Sequence, residues 1–204
     1  MSKKMSYEKI QLMAQNIHLL SEKIILQHGP FLKEGVYQDI LVHELQLKGF
    51  NTSRELVFNY RITDSKNKPF TIGNNQSLRS DIELPEYGCI LELKSSGNST
   101  KDENVWQLRN YLENRLDSHW GLVINFISKF GPRTFPKVQS SLLIKQSYLE
   151  EENNTIETIA SDGTRILVNK YFHENFESNH YPSYDQIVVD KNVSVPESVT
   201  SNIY

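Results

Sequence analysis

Arg79-Ser80-Asp81-Ile82-Glu83-Leu84, a break at Pro85-Glu86-Tyr87-Gly88, then Cys89-Ile90-Leu91-Glu92-Leu93-Lys94 is the stretch that decides the reading of this chain. The apolar residues predict a strand at 78–84, a tight turn, and a short buried strand at 89–94. Adjacent hairpin strands bring Asp81 and Glu92 together, and the period of two places Glu92 and Lys94 on one face. Two carboxylates at close range repel, and a hard divalent cation such as Mg²⁺ relieves that repulsion with water completing its shell. A lysine beside the cation orients or helps deprotonate an attacking water, while the cation stabilises charge on phosphate oxygens. An alternating surface hairpin would produce the same pattern by chance. Against that stands the setting of Glu92 and Lys94 in Ile-Leu-Glu-Leu-Lys, because charge in an apolar strand is costly unless paired or metal-bound.

Upstream, Ile10, Met13, Ile17, Leu20 and Ile24 recur every three or four positions and predict an amphipathic helix over 6–28, broken by Gly29-Pro30. Val36, Ile40, Leu41, Leu45 and Leu47 predict a second helix, closing at Lys48-Gly49. Leu56, Phe58, Tyr60 and Ile62 then alternate with polar neighbours, which reads as one half-buried strand. A turn at 64–68, a short strand at 70–72 and a loop at 73–75 follow. Downstream of the decisive stretch, 95–102 reads as a loop, 103–116 as a helix, and 120–127 as a strand buried on both faces. The order of helix, helix, three or four strands, helix, strand predicts an α/β sandwich with a mixed sheet. The segment 129–136, with Gly131-Pro132 and Phe135-Pro136, reads as a boundary. Beyond it 140–149 fits helix or strand equally, Ser161-Asp162-Gly163 marks a hairpin, and the end reads as an extended tail.

The chain has 204 residues, 38% hydrophobic and 23% charged, enough for a packed core and against wholesale disorder. It lacks a run of about 18 apolar residues of the kind that spans a membrane. Residues 1–15 show no uninterrupted apolar run, so no secretory signal is expected there. With one cysteine, Cys89, there is no disulfide framework, so a soluble intracellular protein of the cytoplasm or nucleus is expected. Cys89 precedes an apolar strand without an activating base and reads as packing. The net charge of −3 hides an asymmetry. Residues 1–137 hold 18 Lys and Arg against 15 Asp and Glu, whereas 138–204 hold 4 against 10. So weak a positive field holds nucleic acid only through locally placed cations. The six histidines show no ligand spacing, and phosphate-loop, Gly-x-Ser-x-Gly and Gly-x-Gly-x-x-Gly patterns are absent, which argues against zinc, nucleotide-triphosphatase, hydrolase-elbow and Rossmann readings.

The decisive stretch resembles the PD-(D/E)XK nuclease superfamily, with Asp81 as its aspartate and Glu92-Leu93-Lys94 as its (D/E)-x-K. It looks most like the GxxExxY group. Gly29-Pro30-Phe31-Leu32-Lys33-Glu34-Gly35-Val36-Tyr37 is similar to that group's opening, Arg79-Ser80-Asp81 to its Arg-x-Asp, Gln107-Leu108-Arg109-Asn110-Tyr111-Leu112 to its Gln-helix, and Gly121-Leu122-Val123-Ile124-Asn125-Phe126 to its following strand. Phe31 departs from the usual glycine, Gly35 follows the glutamate, and everything after about Pro132 lies outside the likeness.

The resemblance implies a restriction-endonuclease-like α/β core, a mixed central sheet flanked by helices, over 1–137. Outside the resemblance, composition predicts an acidic C-terminal extension over 138–204, a hairpin and then an extended tail. The resemblance implies Asp81 and Glu92 as Mg²⁺ (or Mn²⁺) ligands with the Leu93 carbonyl a further ligand, Glu34 assisting from the second helix, Lys94 activating water or stabilising charge, and Gln107 facing the site. Arg79 either contacts substrate phosphate or holds Asp81 or Glu34 in an ion pair. Tyr37 either orients Glu34 or packs in the core, and Trp106 and Tyr111 read as core or rim aromatics. The function so implied is hydrolysis of phosphodiester bonds in DNA, with RNA less favoured. The alternative is a catalytically silent module of the same fold that binds nucleic acid or a protein partner. A homodimer, and a protein partner for the acidic tail, are further expectations.

Overall fold

In chain order the computed structural model has α1 (Tyr7–His28), α2 (Glu34–Leu47), β1 (Ser53–Asn59), β2 (Arg61–Thr63), β3 (Pro69–Thr71), β4 (Ser77–Leu84), β5 (Cys89–Ser96), α3 (Asp102–Asn114), β6 (Trp120–Ile127), β7 (Lys137–Lys145), β8 (Thr158–Ile159), β9 (Arg165–Ile166) and β10 (Tyr171–Glu177). The structure describes residues 5–59, 61–63, 69–71, 77–96, 101–127, 137–148, 158–159, 165–166 and 171–177. The expected turn at 64–68, the loop at 73–75, the boundary at 129–136, the turn at 161–163 and the tail beyond 177 lie outside those residues.

One six-stranded sheet runs in the order β1-β4-β5-β6-β7-β10. β5 and β6 are parallel, in register from Cys89↔Trp120 to Ser96↔Ile127, and every other neighbouring pair is antiparallel. A parallel pair needs a crossover, and α3 supplies it. The mixed sheet flanked by helices agrees with the expected class.

Period-two alternation divides the core between the two faces. Leu91 and Leu93 of β5 and Leu122, Ile124 and Phe126 of β6 pack with Ile17, Leu20 and Ile24 of α1 and Leu41 and Leu45 of α2. Ile90 and Val123 instead pack with Leu108, Tyr111 and Leu112 of α3. Glu92 and Lys94 alternate with Leu91 and Leu93, so both project on the α3 face. Cys89 is buried, and burial pushes its thiol well above the usual range, which suits packing and not nucleophilic attack.

The alternation fails at one place in β4. Leu78 packs on the α3 side, yet Ile82 and Leu84, at even spacing from it, pack on the α1 and α2 side. The Ser80 hydroxyl donates to Glu83 Oε1 three residues on, at 3.0 Å, a contact that an ideal strand forbids. The strand therefore changes phase around Asp81. The neighbouring strand is irregular at the same level: β1 pairs Arg54↔Ile82 and Leu56↔Ser80, and Glu55 between them has φ 47°.

Three expectations need correction. The alternation from Leu56 to Ile62 is not one strand: β1 ends at Asn59, and β2 pairs with β3 in a separate ribbon. α3 ends at Asn114, leaving Leu116 exposed. The ambiguous segment 140–149 is largely strand β7, between β6 and β10. Sheet strands thus continue past residue 137, and β8 with β9 forms the expected hairpin pairing.

Gly121 fixes how closely α3 lies on the sheet. A methyl group there would stand 2.4 Å from the Ile90 carbonyl oxygen and 2.8 Å from Leu108 Cδ1. Gly121→Ala should therefore cost about 1–3 kcal/mol by overpacking, read as a lower urea midpoint at unchanged slope. A midpoint equal to wild type would contradict the close approach of β5, β6 and α3.

Candidate metal centre

β4 and β5 pair from Leu84↔Cys89 to Ile82↔Leu91 and then part. Where the ladder ends, main-chain groups need other partners. The Leu93 amide donates to Asp81 Oδ2 at 2.7 Å, so a side-chain carboxylate takes the place of a ladder carbonyl. Asp81 and Glu92 are thereby held side by side at the fork.

Glu92 is 1% exposed. Its Oε1 accepts from Lys94 Nζ at 2.5 Å, while its buried Oε2 has no hydrogen-bond partner among the described residues. Glu83, another carboxylate on this sheet, makes an instructive contrast at 2% exposed. One of its oxygens accepts from Ser80 Oγ at 3.0 Å and the other from Arg115 Nη2 at 2.9 Å. Both charges are buried, but Glu83 is satisfied on each oxygen and Glu92 on only one. An unpaired buried carboxylate oxygen is expensive and calls for an explanation.

The electrostatics agree with the geometry. Burial, reinforced by the negative charge of Asp81, pushes the Glu92 carboxyl from 4.5 up to about 8, with Lys94 pulling the other way. Burial also raises Asp81, opposed by the Leu93 amide and Lys94 and reinforced by Glu34. For Lys94, burial favours the neutral amine, but Glu92, Glu34 and Asp81 together outweigh it and hold the ammonium above its usual range. Three acidic groups and one lysine thus share one field.

The structure brings Glu34 to this group. Its Oε2 accepts from the Ser95 amide at 3.3 Å, and the Ser95 hydroxyl donates to the Leu32 carbonyl at 3.0 Å, tying the start of α2 to β5 just beyond Lys94. Other expected residues are placed differently. Gln107 donates to the Tyr111 hydroxyl of its own helix at 2.6 Å. Arg79 pairs with Glu55 at 3.7 Å, and its charge also acts on Asp81, favouring the ionised carboxylate. The Tyr37 hydroxyl donates to the Gly29 carbonyl at 2.6 Å and its ring stacks on Phe126, so it packs and does not orient Glu34. Tyr111 is buried, while Trp106 is exposed with the Arg109 guanidinium 4.8 Å over its ring. Two polar residues escaped the sequence reading. Ser95 clamps Glu34, and Gln38 donates to the Asp81 carbonyl at 2.6 Å. The spacing of Gln38, four residues after Glu34 and so on the same helix face, was the available signal.

The donor set fits a hard divalent cation. Glu92 Oε2 is buried, anionic once ionised, and lacks a donor, and the Asp81 carboxylate lies beside it. Among the described residues no three His, Cys, Asp or Glu side chains converge as a complete metal set.

A linkage prediction follows from Glu92. In metal-free buffer with EDTA, the folded state keeps a proton up to about pH 8 that the unfolded chain loses near pH 4.5. Folding stability contributed by the protonated form therefore declines as pH rises through that window. Glu92→Gln removes the titration, so its melting temperature relative to wild type should climb between those limits, measured by calorimetry. Parallel profiles for the two proteins would contradict the assigned burial.

A family model described as the PD-(D/E)XK nuclease superfamily matches residues 11–135. A solved structure described as "Crystal structure of SSO0001" is 21% identical to the chain, with a TM-score of 0.34. That match covers 64% of this chain and 64% of that one. A search of curated proteins returned no match. Among the described residues no helix is long and apolar enough to cross a membrane. The family match spans β4 and β5, which carry Asp81, Glu92 and Lys94, together with α3 and β6, and by that match the chain belongs to the PD-(D/E)XK nuclease superfamily.

Proposed function

We propose that the protein is a divalent-metal-dependent nuclease that hydrolyses phosphodiester bonds in DNA in preference to RNA. The superfamily points to nuclease activity. The observation that carries the metal dependence is the buried Oε2 of Glu92, without a partner among the described residues, beside Asp81 and with Lys94 on the other oxygen. Within the superfamily we assign the chain to the GxxExxY group, on the strength of the motifs at 29–37, 79–81, 107–112 and 121–126.

Asp81 and Glu92, with the Leu93 carbonyl, would hold Mg²⁺ or Mn²⁺. When bound, the ion supplies Lewis-acid stabilisation of charge on phosphate oxygens and acidifies water. The chain's own groups do the rest. Lys94, kept protonated by its three acidic neighbours, presents its ammonium to an attacking water or to a phosphate oxygen. Glu34 adds negative charge at the rim and fixes α2 against β5. Arg79, largely exposed and only loosely paired with Glu55, is available to a substrate phosphate. Gln107, on α3 with its amide on the Tyr111 hydroxyl, would contact bound substrate.

The test is cleavage of circular single-stranded DNA, supercoiled duplex DNA and RNA with Mg²⁺, Mn²⁺ or EDTA. We expect metal-dependent cutting of DNA, abolished by EDTA. Asp81→Asn and Lys94→Ala should each lower the rate by about 10²–10⁴-fold, the usual span for a group acting on the reacting atoms; Asp81→Asn should melt close to wild type, while Lys94→Ala, which strips Glu92 of its partner, should melt lower. Cys89→Ala should cut normally. Folded wild-type protein that cuts none of the substrates would leave the non-catalytic binding module as the reading.

A further inference from the structure

Asp81 needs more than a sequence position to serve the site, because both of its neighbouring ladders fail there. Toward β5 the pairing stops at Ile82↔Leu91, and toward β1 the residue opposite, Glu55, has φ 47°. A main-chain carbonyl at such a gap must find another donor or remain unsatisfied. The donor is Gln38, 5% exposed on α2, whose Nε2 stands 2.6 Å from the Asp81 carbonyl oxygen. One helical turn earlier Glu34 accepts from the Ser95 amide. The same face of α2 therefore grips β4 through Gln38 and β5 through Glu34, across the fork between the two strands.

We propose that Gln38 is a positioning residue for the metal centre. By holding the Asp81 carbonyl away from β1, it keeps the strand in its shifted phase. That leaves the Asp81 carboxylate on the Leu93 amide and beside Glu92. Without the amide donor, the carbonyl is left to re-pair with β1, drawing Asp81 off Leu93 and opening the fork. The metal part of this inference rests on the proposed function; the placement of Asp81 does not.

The experiment uses the full chain and Gln38→Met, which matches the side chain in length and lacks the donor. Amide hydrogen exchange is followed by NMR in EDTA, with Leu93 compared to Val123 in the neighbouring strand. Gln38→Met should speed Leu93 exchange by about tenfold more than Val123, whereas a merely structural loss would speed both alike. Binding of Mn²⁺, read by electron paramagnetic resonance, should weaken by about 10–100-fold, the span for residues that orient metal ligands. Unchanged relative exchange of Leu93 overturns the proposal. If wild type binds no Mn²⁺, the metal reading fails while the exchange ratio still decides the role of Gln38. If Gln38→Met does not fold, wild type alone decides. The Gln38 side-chain amide should exchange slowly and show scalar coupling to the Asp81 carbonyl carbon, and a freely exchanging, uncoupled amide overturns the proposal.

Discussion

A carboxylate carried into the middle of a sheet with one oxygen on a lysine and the other on nothing is the constraint around which this protein is organised. Glu92 lies in a strand whose neighbours in sequence, Leu91 and Leu93, are fully buried in the main core. Burial of a charge at that depth is tolerated only with compensation. Lys94 supplies part of it from two residues away on the same face. Asp81, held nearby by the Leu93 amide, adds a like charge that makes the position costlier still. An arrangement that is costly empty and favourable when a small dication is added is what a binding site for one requires.

The rest of the fold can be understood as what places those two carboxylates together. An uninterrupted β4–β5 hairpin would use its main-chain groups on each other and bury the alternate side chains in the ordinary way. Here the hairpin is regular only near its turn, then opens. The phase change in β4 and the left-handed Glu55 in β1 occur at the same level, so the irregularity is shared by two strands. α2 fills the gap with Gln38 and Glu34, and its rear is fixed by Tyr37, stacked on Phe126 with its hydroxyl on Gly29. On the other face α3 lies close on β6 because Gly121 has no side chain to keep it away. Flexibility at the fork is thus restrained from both sides.

Much of this was legible in the sequence, for identifiable reasons. The strands at 78–84 and 89–94 and the apolar run at 120–127 were readable because burial imposes period two or a continuous apolar stretch. α1 and α2 were readable from their three-and-four spacing. Glu92 and Lys94 stood out because charge inside such a run is anomalous. The failures are equally physical. Leu56, Phe58, Tyr60 and Ile62 alternate straight through the point where the chain leaves the main sheet, since alternation records exposure and not the identity of the partner strand. β7 was ambiguous because Ser140 and Ser141, buried polar residues at its centre, break the apolar pattern; each is satisfied by a distant partner, His18 and Asn175 respectively. Gln38 offered only its place one turn after Glu34, because its role depends on a main-chain carbonyl freed by an irregularity that composition does not encode.

The most direct test of the central claim is anomalous diffraction from crystals of the wild-type protein soaked in Mn²⁺. The account predicts one anomalous peak shared by the carboxylates of Asp81 and Glu92, with Glu92 Oε2 among its ligands and Lys94 still on Oε1. A peak elsewhere in the protein, or a Glu92 that remains without a metal ligand at saturating Mn²⁺, would contradict it.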